Sequence, residues 1–384
     1  MVSIFKTFTL VGIGTLVGAV APLVHAELPI DQIGVAKLPP ASPYRLYFTD
    51  VALPHLADGR MSIIDGRTMK LEGMVSIGMF GQTAISPDRS EIYAMTTYYS
   101  KLNRGERIEE IDVYDAATLK LKAEIPYPAR HAQALPSRGT LRTSGDGRFI
   151  LVQNATPATS VSVVNRQTGK MVSEVQTPGC YIVYPAQTVN RFATLCGDGT
   201  VLTVSLDDEG NVVGKKKSAK LFDPEGDPLF TPAAQSGDTY HFVSYKGNWQ
   251  SINVAGETAV ADQAWPLVSA ADAKQGWRPG GSQPVAFHIE SGTGYVTMHP
   301  KGKEGSHKNG AKEIWVIDVA QKTRVARTPV HEATGVAVSQ GSAPRVFAFN
   351  TEKASVTGYD GGRKLKAVAS GAGFGDTPTL LEVQ

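Results

Sequence analysis

The sequence predicts an all-β chain folded as a seven-bladed β-propeller. Two observations predict it. Short runs of alternating apolar residues, each closed by Gly, Asp, Asn or Pro, fill the chain, and one strand–turn–strand unit recurs seven times. Long stretches with a 3.6-residue apolar period are absent.

The recurring unit is an alternating strand, an Asp or Asn, a polar turn and a second strand. In chain order it reads MSIIDGRTMKLEGMV, IDVYDAATLKLKAEI, VSVVNRQTGKMVSEV, LTVSLDDEGNVVGKK, QSINVAGETAVADQ, IWVIDVAQKTRVART and VTGYDGGRKLKAVAS. The turn-entry residues are Asp65, Asp115, Asn165, Asp207, Val254, Asp318 and Asp360, at spacings of 50, 50, 42, 47, 64 and 42 residues. Val254 is a degenerate case. Upstream of most units lies a turn followed by a strand with little charge, as in SPDRSEIYAMTT, SGDGRFILVQNA and SAPRVFAFNTE. Alternating turns and strands at this period give one four-stranded blade per repeat. A small sheet with two apolar faces buries both only between neighbours, so the repeats are expected to close into a ring. Tyr44–Thr49 and Leu380–Val383 are then expected to share the closing blade. The 64-residue interval holds an insertion around Trp265–Gly281, where SAADAKQ is predicted to form a short helix.

Composition narrows the class. The hydrophobic fraction of 42% is too high for disorder, and the charged fraction of 19% too low for a coiled coil. With 38 basic and 36 acidic residues the net charge is +2, which gives no electrostatic case for nucleic acid or an acidic membrane. Lys215–Lys217, beside Gly214, reads as a solvated turn.

Residues 1–26 read as a secretory signal peptide, and 27–384 as a single propeller domain. Lys6 supplies the positive region, Phe8–Val20 the apolar core, and Val24-His25-Ala26 the small residues before the cleavage point. A membrane-anchoring helix is the alternative; Pro22 and the polar sequence that follows favour cleavage. Removing the leader takes one Lys and no acid, leaving a net charge of +1. Export favours pairing of the only two cysteines, Cys180 and Cys196, across a hairpin of Tyr181–Tyr184 and Arg191–Leu195. Two free buried thiols are the alternative. A metal site there is disfavoured, because neither Cys has a His or second Cys at ligand spacing.

The search for chemistry finds no GxSxG, HExxH, GxGxxG after a strand or EF-hand pattern. LDDEGN at 206–211 reads as a hairpin turn. Seven His follow the leader (His55, His131, His241, His288, His299, His307 and His331), scattered at one or two per blade. The ordinary reading of each is a surface or hydrogen-bonded strand residue. No catalytic residue and no metal site is expected on this chain.

Five strings in order carry a resemblance to a known family: MTTYYSKLNRGER (95–107), LVQNATPATSVSVV (151–164), the Cys180…Cys196-Gly-Asp-Gly segment, GWRPGG (276–281) and HPKGKEGSHK (299–308). On these the chain resembles the heavy (large) subunit of the tryptophan tryptophylquinone amine dehydrogenases, closer to the aromatic than to the methylamine branch. The resemblance implies a seven-bladed propeller with a disulfide at the matching Cys pair. It implies a periplasmic α2β2 heterotetramer in which the light subunit carries the quinone and the catalytic Asp, with no cofactor bound by the heavy chain. The implied reaction is oxidative deamination of a primary amine to aldehyde and ammonia. Electrons then pass to a blue copper protein of the azurin or amicyanin type. Within MVSIGMFGQ it places Phe80 on the substrate channel at the subunit interface; without it, Phe80 reads as a core residue at a blade edge.

Departures bear on the substrate. The aromatic branch has His where this chain has Tyr99 and Gln82, and GGY or GGW where Gly281-Ser282 follows GWRP. They put the amine preference in doubt and leave a methylamine dehydrogenase heavy subunit as an alternative. A stand-alone exported ligand- or protein-binding propeller, and a hydrolase or lactonase with a channel metal, are the readings from other classes.

Overall fold

Six antiparallel sheets account for the strands of the computed structural model, which describes residues 36–362 and 364–384. The leader expected at 1–26 lies outside the described residues. Five sheets hold four or five strands each, and the sixth holds seven. The expectation of four strands per sheet holds in three sheets. Two gain a short fifth strand, Trp265–Pro266 in one and Arg278–Pro279 beside Val285–His288 in the other. The seven-stranded sheet departs for a local reason. Strand Lys70–Ile85 is 16 residues long; its first half pairs with Gly59–Asp65 and its second half with Glu91–Tyr99, joining two repeats into one sheet.

Every one of the seven repeated units forms a hairpin. Their turns join Gly59–Asp65 to Lys70–Ile85, Arg107–Asp115 to Leu121–Tyr127, and Ser160–Asn165 to Lys170–Gln176. The rest join Val201–Leu206 to Val212–Lys217, Asn248–Asn253 to Val260–Ala261, Ala311–Asp318 to Thr323–Ala333, and Ser355–Asp360 to Lys366–Gly371. The turn-entry carboxylate or amide explains the recurrence. Asp115 Oδ1 accepts the backbone N–H groups of Ala117 and Thr118, Asn165 Oδ1 those of Gln167 and Thr168, and Asp207 Oδ1 those of Glu209 and Asn211. At the degenerate repeat the role moves back one residue: Asn253 Oδ1 accepts from Ala255 N–H, so Val254 is free to be buried.

Closure follows the expected pairing. Arg45–Asp50 lies antiparallel to Pro378–Val383, with Leu46 opposite Val383 and Phe48 opposite Leu381. The apolar core is divided into seven clusters among the described residues, and each is shared by two successive repeats. Strand alternation does the dividing. Val183 packs with Phe149 and Val163 of the preceding repeat, whereas Ile182 and Tyr184 pack with Phe242 and Ile252 of the following one. The series ends where it began: Phe347 and Phe349 of the last repeat pack on Leu46 and Phe48 of the first.

Two details refine the sequence reading. Lys215–Lys217 sit on an exposed edge strand, Val212–Lys217, rather than in a turn; lysines on an edge discourage pairing with another chain. The short helix forms over Ala270–Lys274, with Ser269 and Asp272 in a reciprocal capping box. Arg324 and Arg327 bind Asp272 at 2.7 and 3.3 Å, and their guanidinium groups lie over Trp315 at 4.1 and 5.1 Å. These contacts fasten the insertion to its sheet. Among the described residues no helix is long and apolar enough to cross a membrane.

Candidate functional site

The bend around Phe80 is where the long strand passes from one sheet to the other. The register shifts between Met79 and Gln82, and Gly78 and Phe80 take positive φ of 58° and 52°. Gly78 has no substitute: an added Cβ would sit 1.9 Å from Thr96 Oγ1 and force a left-handed conformation on a side chain. Phe80 is held in that region, which a bulky residue rarely adopts, by its neighbours. Buried Gln82 donates from Nε2 to the Phe80 carbonyl at 2.9 Å and to the Ala134 carbonyl at 2.7 Å, and accepts from Thr140 Oγ1 at 2.6 Å. Thr96 Oγ1 donates to the Ile77 carbonyl at 2.5 Å.

The Phe80 ring is half-buried and belongs to none of the seven apolar clusters among the described residues. Three exposed leucines lie on segments next to the bend. Leu102, in the turn after Glu91–Tyr99, is 75% exposed, and Leu53 and Leu135 are 45% and 47% exposed. Leu53 opens the 3-10 helix Leu53–Asp58, and Leu135 follows the residue that Gln82 anchors.

A second feature is a cavity of about 490 Å³. Seven segments line it: Thr83–Ser86, Arg138–Thr143, Val183–Tyr184, Ala233–Gln235, Ala286–Phe287, Val338 and Leu380–Gln384. Phe80 is not among them; it stands three residues before Thr83 on the same strand. Inside, Arg138 binds Glu382 at 2.9 Å and Arg142 donates to Gln235 Oε1 at 2.5 Å.

Close to the bend lies a pair that sequence reading missed. Glu109 Oε2 is 2.8 Å from His131 Nδ1, both side chains being fully buried, in a close contact without the alignment of a hydrogen bond. The same oxygen accepts the backbone N–H groups of Arg130 and His131, and the other carboxylate oxygen meets Arg107. Burial alone would raise the Glu109 carboxyl; His131 and Arg107 outweigh it and hold it below the usual range. The other His are dispersed. His241 packs among Trp249 and Phe287, where burial pushes its imidazole down to about 4. His307 stacks on Tyr245, and His288 bonds Ser291 and the Gly341 carbonyl.

Cys180 and Cys196 form the disulfide, as directly opposed residues of Cys180–Pro185 and Arg191–Cys196. Both sit in the cluster between the third and fourth repeats.

Comparison with known proteins bears on this arrangement. The family profile described as methylamine dehydrogenase heavy chain (MADH) matches residues 43–382. The methylamine dehydrogenase heavy chain of Methylophilus methylotrophus is 26% identical over 354 residues, covering 91% of this chain and 86% of that protein. That of Methylobacillus flagellatus is 27% identical over 326 residues, covering 84% and 80%. Solved structures share the fold at low identity. A hydrazine synthase chain of Kuenenia stuttgartiensis gives a TM-score of 0.56 at 14% identity, covering 84% of this chain and 94% of that one. A putative 6-phosphogluconolactonase of Bacteroides fragilis gives 0.60 at 11%, covering 88% and 97%. The match over most of its length shows that this chain belongs to the methylamine dehydrogenase heavy chain family.

Proposed function

We propose that this chain is the heavy subunit of a periplasmic amine dehydrogenase, folded as a seven-bladed propeller. It docks a light subunit that carries tryptophan tryptophylquinone, and shapes the substrate's path to that group. Seven blades are supported by the seven hairpin repeats, by the clusters that run from one repeat to the next and back to the first, and by the seven segments around one cavity. On this reading strand Lys70–Ile85 serves as the outer strand of one blade and the inner strand of the next.

The observation that carries the docking role is the Phe80 bend. A strained, half-exposed aromatic residue, fixed by three buried hydrogen bonds of Gln82 and flanked by exposed Leu53, Leu102 and Leu135, suits a surface that another chain covers. In the assembled enzyme the ring forms one wall of the amine's entrance and excludes water from it. The quinone on the partner would supply the two-electron oxidation by which a primary amine and water give aldehyde, ammonia and two protons, and a blue copper protein of the azurin or amicyanin type would take the electrons onward. This chain supplies positioning and shielding.

Methylamine or another short aliphatic amine is the substrate that the family match favours. An arylalkyl amine is the second reading, favoured by a Phe80 ring left free of the core for stacking. Native purification from the periplasm, followed by a visible spectrum and assays with methylamine and phenethylamine, tests both. A co-eluting small chain whose quinone band one amine bleaches supports the heavy-subunit reading and chooses the substrate. A colourless lone chain, bleached by neither, overturns it in favour of a stand-alone binding propeller.

A further inference from the structure

Three carboxylates converge on strands Arg107–Asp115 and Leu121–Tyr127. Glu110 and Asp112 are two residues apart and so share one sheet face, and Asp112 lies directly opposite Glu124. One carboxylate oxygen of each lies within 4.8 Å of the other two. Asp112 is only 2% exposed. Its Oδ2 accepts from the Tyr98 hydroxyl at 2.8 Å and the Tyr114 hydroxyl at 3.3 Å. Its Oδ1, equally buried, receives no N–H or hydroxyl donor among the described residues, and besides the two tyrosines the side chain that meets Asp112 is Glu110.

A buried carboxylate oxygen without a donor is costly, and neighbouring carboxylates make it costlier. The nearest basic residues in sequence are engaged elsewhere: Lys122 with Glu91, and Arg107 with Glu109. Burial, and then the charges of Asp112 and Glu124, push the Glu110 carboxyl up, and burial raises Asp112 despite its two tyrosine donors. The cluster is short of positive charge.

We propose that Glu110, Asp112 and Glu124 bind one Ca²⁺ ion. An all-oxygen donor set selects a hard cation, and Ca²⁺ takes oxygens at about 2.3–2.6 Å, so donors up to about 5 Å apart reach one ion. Glu124 is exposed and Glu110 half-buried, which leaves the outward side open for the waters that complete six to eight ligands. Tyr98 and Tyr114 occupy Oδ2 and orient Asp112 so that Oδ1 is left for the ion. The ion would tie the two outermost strands of the second repeat together.

The test uses the full chain in its purified native assembly, stripped with a chelator and then titrated with CaCl2 alone by calorimetry and thermal melting. The expected result is one ion per heavy chain with a Kd of about 10⁻³ M or tighter, and a higher melting temperature. Glu124→Gln, an exposed change that leaves folding intact, should weaken binding by about tenfold or more, and Asp112→Asn should abolish it. If Asp112→Asn does not fold, Glu124→Gln decides. A wild-type chain indifferent to about 10 mM CaCl2 in both readouts, well above the expected Kd, overturns the ion and leaves Glu110 and Asp112 sharing a proton. Unchanged affinity in Glu124→Gln overturns it as well.

Discussion

Gln82 holds Phe80 by its backbone: the Gln82 amide donates to the Phe80 carbonyl at 2.9 Å while the same side chain spans to Ala134 and Thr140. Gln82 is therefore the clamp of the bend. Gln82→Ala removes all three bonds from a site only 1% exposed and deprives two carbonyls of their donor, while the Thr140 hydroxyl keeps the Ser137 carbonyl. We expect a stability loss of about 2 kcal/mol, read as a lower urea midpoint with an unchanged slope. In the assembled enzyme the KM for amine should rise. An unaltered midpoint would show that water replaces the amide.

Phe80→Ala should behave in the opposite manner. Because the ring lies outside the apolar clusters, its loss should cost less than about 1 kcal/mol of stability. The ratio of kcat/KM for phenethylamine over that for methylamine should nevertheless change by about tenfold, since only a ring beside the amine's path discriminates the two. A large stability loss with an unchanged ratio would return Phe80 to a packing role.

The disulfide joins neighbouring strands inside an apolar cluster, and it closes a loop of residues 181–195. Replacing both cysteines by Ser should lower stability by about 3 kcal/mol, through the loop-closure entropy restored to the unfolded chain. Urea unfolding of wild type with and without a thiol reductant gives the same comparison without mutation. Equal midpoints would mean that the strand ladder alone fixes the hairpin.

Much of the fold was legible because its signals are local. Five repeats announce themselves by a turn-entry Asp or Asn whose side chain caps the turn, and even the failure at Val254 has a local cause in Asn253. The sharing of Lys70–Ile85 between two sheets was not legible, because 16 residues of alternating pattern carry no mark of where the partner changes. Gly78 and Gly81 around Phe80 are the residue types that such a bend needs, yet glycine is common along the chain. The Glu109–His131 pair and the Glu110–Asp112–Glu124 cluster were invisible for another reason. Their members face each other across strands, and no spacing along one strand distinguishes them from a solvated acidic edge.

The Glu109–His131 pair makes one buried contribution to acid stability, beside other carboxylates of this chain that are also held below their ordinary values. Glu109 titrates below its ordinary value of 4.5 in the folded chain, so the unfolded chain takes up its proton first as pH falls. The stability it contributes is complete above about pH 4.5 and is lost as pH drops through the lower folded value. Glu109→Gln keeps the shape and removes the charge, leaving His131 and Arg107 without their buried anion. At neutral pH this should cost about 3 kcal/mol, the scale for breaking a buried pair. Between about pH 5 and pH 3 the wild type should lose stability steeply while Glu109→Gln declines more gently, so that the two curves converge. Urea midpoints measured across that range decide it. Parallel curves would mean that Glu109 is protonated in the folded chain already, and that the acid dependence arises from other carboxylates.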